Sequence, residues 1–177
     1  MINILAGTTD FRHIPLSVTK LRFYTFVLIF IAGNILFPLT VHAIPQGGKI
    51  FLPIYFFTLI AAYRFGLTAG IATALLSPLF NSVLFGMPPA SILPIILFKS
   101  TTLALAASWI VSRTQKISLA YIAAVVLIYQ FIGGIFEWIY TGSILAALSD
   151  FQIGFPGMII QIIAGYFLLL WLNHHFD

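Results

Sequence analysis

Residues 21–43 have the sequence LRFYTFVLIFIAGNILFPLTVHA, in which Arg22 is the only charged side chain. A helix needs about 20 apolar residues to cross the hydrocarbon core of a bilayer, so this run is long enough to span it. The rest of the chain has the same character, because 61% of its 177 residues are hydrophobic and 7% are charged. So few charges cannot supply the polar surface that a soluble protein needs. The sequence therefore predicts a single domain embedded in a membrane.

Apolar runs separated by Gly, Pro or charged residues predict six transmembrane helices. They cover residues 21–43, 50–63, 67–85, 91–112, 117–140 and 155–172. The second run is short for a full span, and with the third it could form one long hairpin broken around residues 63–66. We expect an all-α membrane protein, a compact bundle of six helices over residues 21–172. Residues 1–20 form an N-terminal segment, and residues 173–177 form a tail.

The positions of Lys and Arg predict which helix ends face the cytoplasm, because short cytoplasmic loops retain positive charge. Most of the basic residues fall on one side, whereas the loops of the opposite side carry Lys49 and the acid Asp150. Both termini should therefore be cytoplasmic. The basic residues on that side are Arg12, Lys20, Arg22, Arg64, Arg113 and Lys116.

Two parts of the N-terminal region allow alternatives. Residues 1–20 could lie at the cytoplasmic interface as a short amphipathic piece, or they could form a partly disordered tail. A signal peptide ending near Val41-His42-Ala43 is a weaker alternative to the first helix, since the apolar stretch before it is too long for one.

Several classes of chemistry are excluded by the residues that the sequence lacks. There is no cysteine, no phosphate-binding loop and no H-E-x-x-H metal motif. No serine has a His and an acid nearby in the sequence, so no nucleophile is indicated. The basic residues are spread between apolar runs and form no nucleic-acid-binding patch. We therefore expect a protein that is not an enzyme and that holds no cofactor, metal or nucleic acid.

The prolines are distributed unevenly across the predicted membrane. Of the nine prolines, only Pro15 lies on the predicted cytoplasmic side. Several others start or stop helices, but Pro53, Pro78 and Pro94 fall within apolar runs. Broken backbone at membrane depth is tolerated where protein or a water-filled cavity satisfies the freed groups. We therefore expect the outer half of the bundle to be irregular and the inner half to be regular.

Two ionisable residues, Lys99 and Glu137, lie inside apolar helices, where charge is costly unless it is paired or solvated. A rise of about 1.5 Å per residue places Lys99 roughly 12 Å and Glu137 roughly 5 Å below the outer boundary. They could pair with each other or hold a ligand together. Alternatively, Lys99 extends to the outer headgroups and Glu137 is an interfacial residue.

Other polar and aromatic residues fall at similar depths. Together with Lys99 and Glu137 they predict an outward-facing substrate pocket. Singly, each could instead form a hydrogen bond between helices. The additional candidates are Asn81, Gln130, Tyr55, Gln161, Trp138 and His42. A stripe of small residues, Gly66, Gly70 and Ala74, either packs within the bundle or forms a docking surface for another membrane subunit.

The sequence between residues 44 and 110 resembles a known transporter family. The stretch FLPIYFFTLIAAYRFGLTAGIATALLSPLFNSVLFGMPPASILPIILFKS, residues 51–100, is similar in pattern to the substrate-binding S component of energy-coupling-factor vitamin importers. The resemblance implies a six-helix protein of a bacterial cytoplasmic membrane, whose first outer loop covers a pocket for a vitamin or related small nutrient. It also implies a transmembrane coupling subunit and two ATP-binding cassette ATPases as partners.

The chain departs from that family at two places. Several members carry an A-x-x-x-A docking motif on the first helix, whereas Ala32 and Gly33 are adjacent here. Nickel and cobalt members begin with Met-His, whereas this chain begins Met1-Ile2, so an organic substrate is favoured. A structural protein similar to the small rod-shape-determining membrane proteins of bacteria is the alternative. A lipid-modifying membrane enzyme is a third hypothesis, which the absence of a nucleophile or metal set disfavours.

Overall fold

The protein is described by a computed structural model that covers residues 2–3, 7–41 and 46–175. In this part of the chain, five helices are long and apolar enough to cross a membrane. The structure is therefore that of a mostly helical, multi-pass membrane protein. The five helices are α1 (Leu21–Val41), α4 (Leu67–Phe85), α5 (Leu93–Thr114), α6 (Leu119–Thr141) and α7 (Ile144–His175).

The second predicted span is broken into three short elements. They are α2 (Gly47–Phe51), a single 3-10 turn (Pro53–Tyr55) and α3 (Phe56–Phe65). The break falls at Leu52, which has a left-handed backbone with φ 48°, and the following Pro53 has no N–H to continue a helix. At about 1.5 Å per residue, the 10 residues of α3 extend only about 15 Å, which is half of a bilayer core.

α3 is the central helix of the bundle. All of its side chains except Phe57 are buried. Gly66, with φ 92°, joins it directly to α4, so these two helices form the broken hairpin that the sequence suggested. They pack closely because Gly70 lies against Ala62, where an added Cβ would come within 2.6 Å of the alanine Cβ.

α7 is longer than the sequence indicates. The apolar run predicts a start at residue 155, but the helix begins at Ile144 and runs for 32 residues, about 48 Å. The sequence suggests Pro156 as a helix start, whereas it lies inside this helix. Asp150, which we expected in an outer loop, therefore lies on the first part of α7.

A small antiparallel sheet closes one end of the bundle. Strand β2 (Thr8–Asp10) pairs with β1 (Ile2–Asn3) on one side and with β3 (Lys116–Ile117) on the other. The chain then crosses the helix ends in an extended form, and the Ile14 N–H donates to the Arg64 carbonyl at 2.9 Å. Residues 7–16 are thus neither helical nor detached from the bundle. We call this end, with its strands and the ends of α3, α5 and α7, the strand end.

The side chain of Arg64 lies at the centre of the strand end and is fully buried. Its Nη1 donates to the Arg12 carbonyl and, at 3.1 Å, to Asn173 Oδ1. Nη2 lies 3.5 Å from the Leu172 carbonyl, and the guanidinium stands 5.2 Å from the centre of the Phe11 ring. In the sequence, Arg64 is a basic residue between two apolar runs and helps to predict which helix ends face the cytoplasm. In the structure, its side chain joins the N-terminal segment to α7.

The opposite end of the bundle is irregular. It contains α2, the 3-10 turn, the ends of α1, α4 and α6, and the beginnings of α5 and α7. Two cavities open there, and we call it the cavity end.

Candidate functional site

An ionic cluster of three side chains lies within the cavity end. Lys99 Nζ is 2.7 Å from Glu137 Oε2 and 2.5 Å from Asp150 Oδ2. The lysine side chain is 3% exposed, while the side chains of Glu137 and Asp150 are 12% and 20% exposed. The lysine is therefore held inside the protein by two carboxylates from two different helices.

Three helices position this cluster. Lys99 lies six residues after the start of α5, Glu137 near the end of α6, and Asp150 near the start of α7. Gly133 makes room for the lysine stem, since a Cβ at that position would lie 2.3 Å from Lys99 Cγ. The pairing of Lys99 with Glu137, one of the alternatives that the sequence left open, is present, and the lysine side chain is buried. The second acid, Asp150, was not anticipated as a partner.

A cleft of about 220 Å³ adjoins the cluster between α5, α6 and α7. Lys99, Gln130 and Trp138 line it, together with apolar side chains such as Phe131 and Phe151. Gln130 is 2% exposed, and its Oε1 has no hydrogen-bond partner within the described chain. Buried polar groups normally have partners. The Gln130 amide oxygen in the cleft wall can therefore accept a hydrogen bond that the described chain does not supply. We call this space the lateral cleft.

A larger cavity of about 350 Å³ lies where α1, α2, α4 and α5 meet. Asn81 and Lys49 are among the polar residues that line it, and Pro38, Pro53, Pro88 and Pro89 contribute to its apolar walls. Lys49 is the one charged side chain lining it in the described chain. Mostly apolar lining with a few polar groups is typical of sites for small organic molecules. We call this space the end cavity.

Asn34 supports the wall of the end cavity from inside the bundle. Its Nδ2 lies 3.2 Å from both Thr58 Oγ1 and Ser77 Oγ, and its Oδ1 accepts from the Phe57 N–H at 3.1 Å. Asn81 Nδ2 in turn donates to the Asn34 carbonyl at 2.9 Å. Asn34 thereby ties α1 to the start of α3 and to α4, and Asn81 is held at the cavity.

Tyr55 and Gln161 lie in neither cavity but form part of a buried polar group. Gln161 Oε1 accepts from the Tyr129 hydroxyl at 3.0 Å, and Gln161 Nε2 donates to the Leu52 carbonyl at 3.2 Å. The Tyr55 ring packs on that of Tyr129, with centroids 5.2 Å apart. These residues fasten the broken segment at Leu52 to α6 and α7.

Comparisons of the chain with protein-family models, curated proteins and solved structures found no match. The arrangement of the residues is therefore the basis for any functional conclusion.

The predicted substrate-binding residues separate into groups. Lys99, Glu137, Gln130 and Trp138 come together at the lateral cleft, whereas Asn81 faces the end cavity. Gln161 belongs to the internal hydrogen-bonded group just described, and Tyr55 packs its ring on Tyr129 beside it. His42 lies outside the described residues.

The stripe of small residues is part of the interior. Ala74 and Gly70 are buried, and Gly66 is buried beneath Pro15. A Cβ at Gly70 would also lie 3.2 Å from the Cβ of Ala104 on α5. These contacts support the packing alternative, and the stripe presents no surface to another subunit.

Sequence reasoning missed three residues that shape the cavity end. Asp150 could have been found from the helical spacing of Ile144, Leu145, Leu148 and Phe151, which continues past Pro156. Asn34 is a lone polar residue in an apolar run, which is a signal for an interhelical hydrogen bond. Nothing in the sequence indicated that Gly133 accommodates the stem of a lysine on another helix.

Among the described residues, no three His, Asp or Glu side chains come together as a metal site. The cavity end instead has two cavities with apolar walls and a few polar groups. The end cavity combines apolar walls with an amide and an ammonium group. The lateral cleft combines apolar walls with a paired lysine and an amide oxygen that has no partner among the described residues. Such arrangements bind small molecules that have both an apolar body and a polar group.

Proposed function

We propose that this chain is the membrane-embedded substrate-binding subunit of an energy-coupling-factor importer, which captures a vitamin or a related small organic nutrient. The end cavity is the observation that carries this proposal. Its volume of about 350 Å³ fits a small organic molecule, and its wall is formed in part by the broken segment that follows α1. The resemblance of residues 51–100 implies a pocket covered by the loop in this position.

The proposal includes an orientation in a bacterial cytoplasmic membrane. The strand end, which carries Arg12, Arg64, Arg113 and Lys116, faces the cytoplasm, and the cavity end faces outward. Both termini are then on the inner side. The broken segment of α2, the 3-10 turn and α3 takes the place of the second predicted span, so that five full spans and this segment make up the six.

The two cavities serve one ligand at successive depths. Ile96 lines the end cavity, and Lys99 follows three residues later on α5, about 4.5 Å deeper. Substrate enters the end cavity beside Asn81 and reaches the predicted contacts around Lys99. Ionisable residues inside membrane helices commonly mark substrate pathways, which supports this assignment.

The chain needs partners for uptake because it contains no phosphate-binding loop. In the proposal, a transmembrane coupling subunit and two ATP-binding cassette ATPases supply the energy, and this chain itself is not an enzyme. The docking face lies elsewhere than the buried stripe at Gly70.

The decisive experiment is to identify the ligand. The chain is purified in nanodiscs, and bound small molecules are extracted and identified by mass spectrometry. Ile96→Trp should abolish their retention because the indole fills the end cavity. Leu105→Trp is the matched control, since Leu105 is half-exposed on the same helix and away from the cavity. A wild-type protein that retains and binds no nutrient, or an Ile96→Trp protein that still binds, would contradict the proposal and favour the structural-protein alternative.

The orientation has its own test, for which the absence of native cysteine is an advantage. The exposed residues Gln46 and Arg113 are each replaced by cysteine, and whole cells are treated with an impermeant maleimide. The Gln46→Cys protein should react from outside, and the Arg113→Cys protein only after the membrane is opened. The reverse pattern would place the cavities toward the cytoplasm and exclude capture from outside.

A further inference from the structure

The ionic cluster contains one more acid than its lysine needs. Lys99 is paired with both Glu137 and Asp150, and the two ion pairs use one oxygen of each carboxylate, Oε2 and Oδ2. No other salt bridge in the described chain involves these acids. Counted as ionised, the cluster carries one negative charge in excess, although a single acid would already neutralise the lysine. Excess charge at a buried position is costly and calls for a reason.

The two acids are held differently. Glu137 lies on α6 in the interior, with its side chain 12% exposed. Asp150 is more exposed, at 20%, and lies on the part of α7 that precedes Pro156. Pro156 cannot donate to the carbonyl four residues earlier, at Gln152, so this part of α7 is joined to the rest by a weakened ladder. Asp150 is therefore the more readily displaced partner of Lys99.

The lateral cleft supplies a second, independent sign of a ligand at this position. Gln130 lies in its wall with its amide oxygen unpartnered in the described chain, although the residue is only 2% exposed. An amide accepts a hydrogen bond through its oxygen and donates through its nitrogen. Rotation of the terminal amide of Gln130 exchanges the positions of these two atoms, and the nitrogen then donates to a ligand carboxylate. Trp138 provides an aromatic wall beside it.

We propose that Asp150 occupies the place of a substrate carboxylate on Lys99, and that the substrate is a ring compound carrying a carboxylate. This inference rests on the proposed function and names the class of its substrate. The incoming carboxylate replaces Asp150 on the ammonium group of Lys99, Gln130 donates to it, and the ring lies in the lateral cleft against Trp138. Glu137 remains in place as the permanent counterion.

A consequence for α7 follows from its other contacts. Its Gly157 lies against the backbone of Ile50 and Phe51, and its Gly154 lies against the Leu52 side chain. Release of Asp150 therefore loosens the part of α7 before Pro156, which packs through Gly154 on the broken segment in the wall of the end cavity. Binding at Lys99 is in this way coupled to the broken segment that lines the end cavity.

The test uses three probes of similar size and different charge: benzoate, benzyl alcohol and benzylammonium. Trp138 fluorescence reports binding in nanodiscs, in a background with Trp109→Phe and Trp171→Phe. Asp150→Asn removes the competing carboxylate and leaves a matched pair of Lys99 and Glu137. We expect benzoate to bind about tenfold or more tightly to this variant than to the parent, on the scale of one charge-assisted hydrogen bond. Benzylammonium should not gain.

Two further variants decide the interpretation. Glu137→Gln neutralises the other carboxylate partner of Lys99 but leaves Asp150 in the proposed place of the ligand. Benzoate affinity should therefore change by less than about threefold. The charge-free variant Lys99→Met/Glu137→Gln/Asp150→Asn should fold, because buried ionic groups can be replaced together, and should bind no benzoate.

Four results would overturn the inference: no gain of benzoate affinity in Asp150→Asn, an equal gain in Glu137→Gln, a preference of the parent for benzylammonium, or failure of Asp150→Asn to fold. The last would mean that the second acid is required by the structure. If the nutrient retained by the wild-type protein still depends on the end cavity, the proposed function stands and only the carboxylate assignment fails. If no nutrient is retained, the proposed function fails independently of the probes.

Discussion

The two ends of this bundle bury charge in different ways. At the strand end, Arg64 is surrounded by backbone carbonyls, the amide of Asn173 and an aromatic ring, and these contacts tie three chain segments together. At the cavity end, Lys99 is held by two acids, one more than neutrality needs, beside an amide without a partner in the described chain. Polar groups at the first end complete the fold, whereas the second end has one carboxylate more than its lysine neutralises and an amide oxygen without a partner in the described chain.

The largest expected effect of any single change is at the strand end. Arg64→Met removes charge-assisted hydrogen bonds from a buried position, so we expect a loss of about 3–5 kcal/mol in the free energy of unfolding. Unfolding in detergent by a titration of SDS measures this. Arg113→Met, at an exposed position on the same end, should change stability by less than about 0.5 kcal/mol. Ligand affinity of the protein that remains folded should be unchanged, and a strong loss of affinity would remove the distinction between the two ends.

The next largest effect is expected where α7 packs closely against the broken segment, at Gly157. A Cβ at Gly157 would lie 2.6 Å from the Ile50 carbonyl oxygen, so Gly157→Ala must displace backbone. We expect a loss of about 1–3 kcal/mol, together with weaker binding in the end cavity that this segment lines. Gly154→Ala is the control one turn away, because its Cβ would meet only the end of the flexible Leu52 side chain, at 3.0 Å. Equal effects of the two substitutions would show that the close backbone approach at Gly157 is unimportant.

The sequence predicted the regular helices of the bundle well. Apolar length alone placed α1, α4, α5 and α6 to within a few residues, because each is a continuous run bounded by polar or turn residues. The cost of burying charge in a membrane singled out Lys99 and Glu137, which the structure pairs. An irregular half where the prolines cluster was also expected, and the broken segment at Pro53 lies at that end of the bundle.

What the sequence did not predict depends on contacts between distant residues. The sheet pairs Thr9 with Ile117, and strands this short carry no usable pattern of alternating residues. The break at Leu52 depends on a left-handed residue that is not glycine, which local propensity disfavours. Proline is over-represented at the first position of a helix, and because Pro156 lies inside α7 instead, Asp150 was missing from the candidate site.

A smaller effect tests how the lysine is accommodated. Gly133→Ala places a methyl group within 2.3 Å of Lys99 Cγ, and the stem of the lysine has to shift. We expect a loss of about 1 kcal/mol, since the gain in helix propensity offsets part of the strain. The adjacent Gly134→Ala is the matched control, because its Cβ would meet nothing within 4 Å, and it should be neutral or slightly stabilising. Thermal denaturation of both variants, with and without benzoate, shows whether the Lys99 position is also the binding position.

The smallest effect on stability has an unusual sign, and it concerns the unpartnered amide at the cavity end. Gln130→Leu removes a buried polar group that has no partner in the described chain, so the free energy of unfolding should rise by about 1 kcal/mol. Binding of benzoate should weaken, because the proposed donor to its carboxylate is lost. Gln161→Leu is the matched control: its amide bonds Tyr129 and the Leu52 carbonyl, so the same change should lower stability by about 1–3 kcal/mol. Stability that rises while affinity falls identifies a residue retained for ligand recognition. A Gln130→Leu protein that is destabilised like Gln161→Leu would instead make this amide part of the fold, and the cavity end would lose its clearest difference from the strand end.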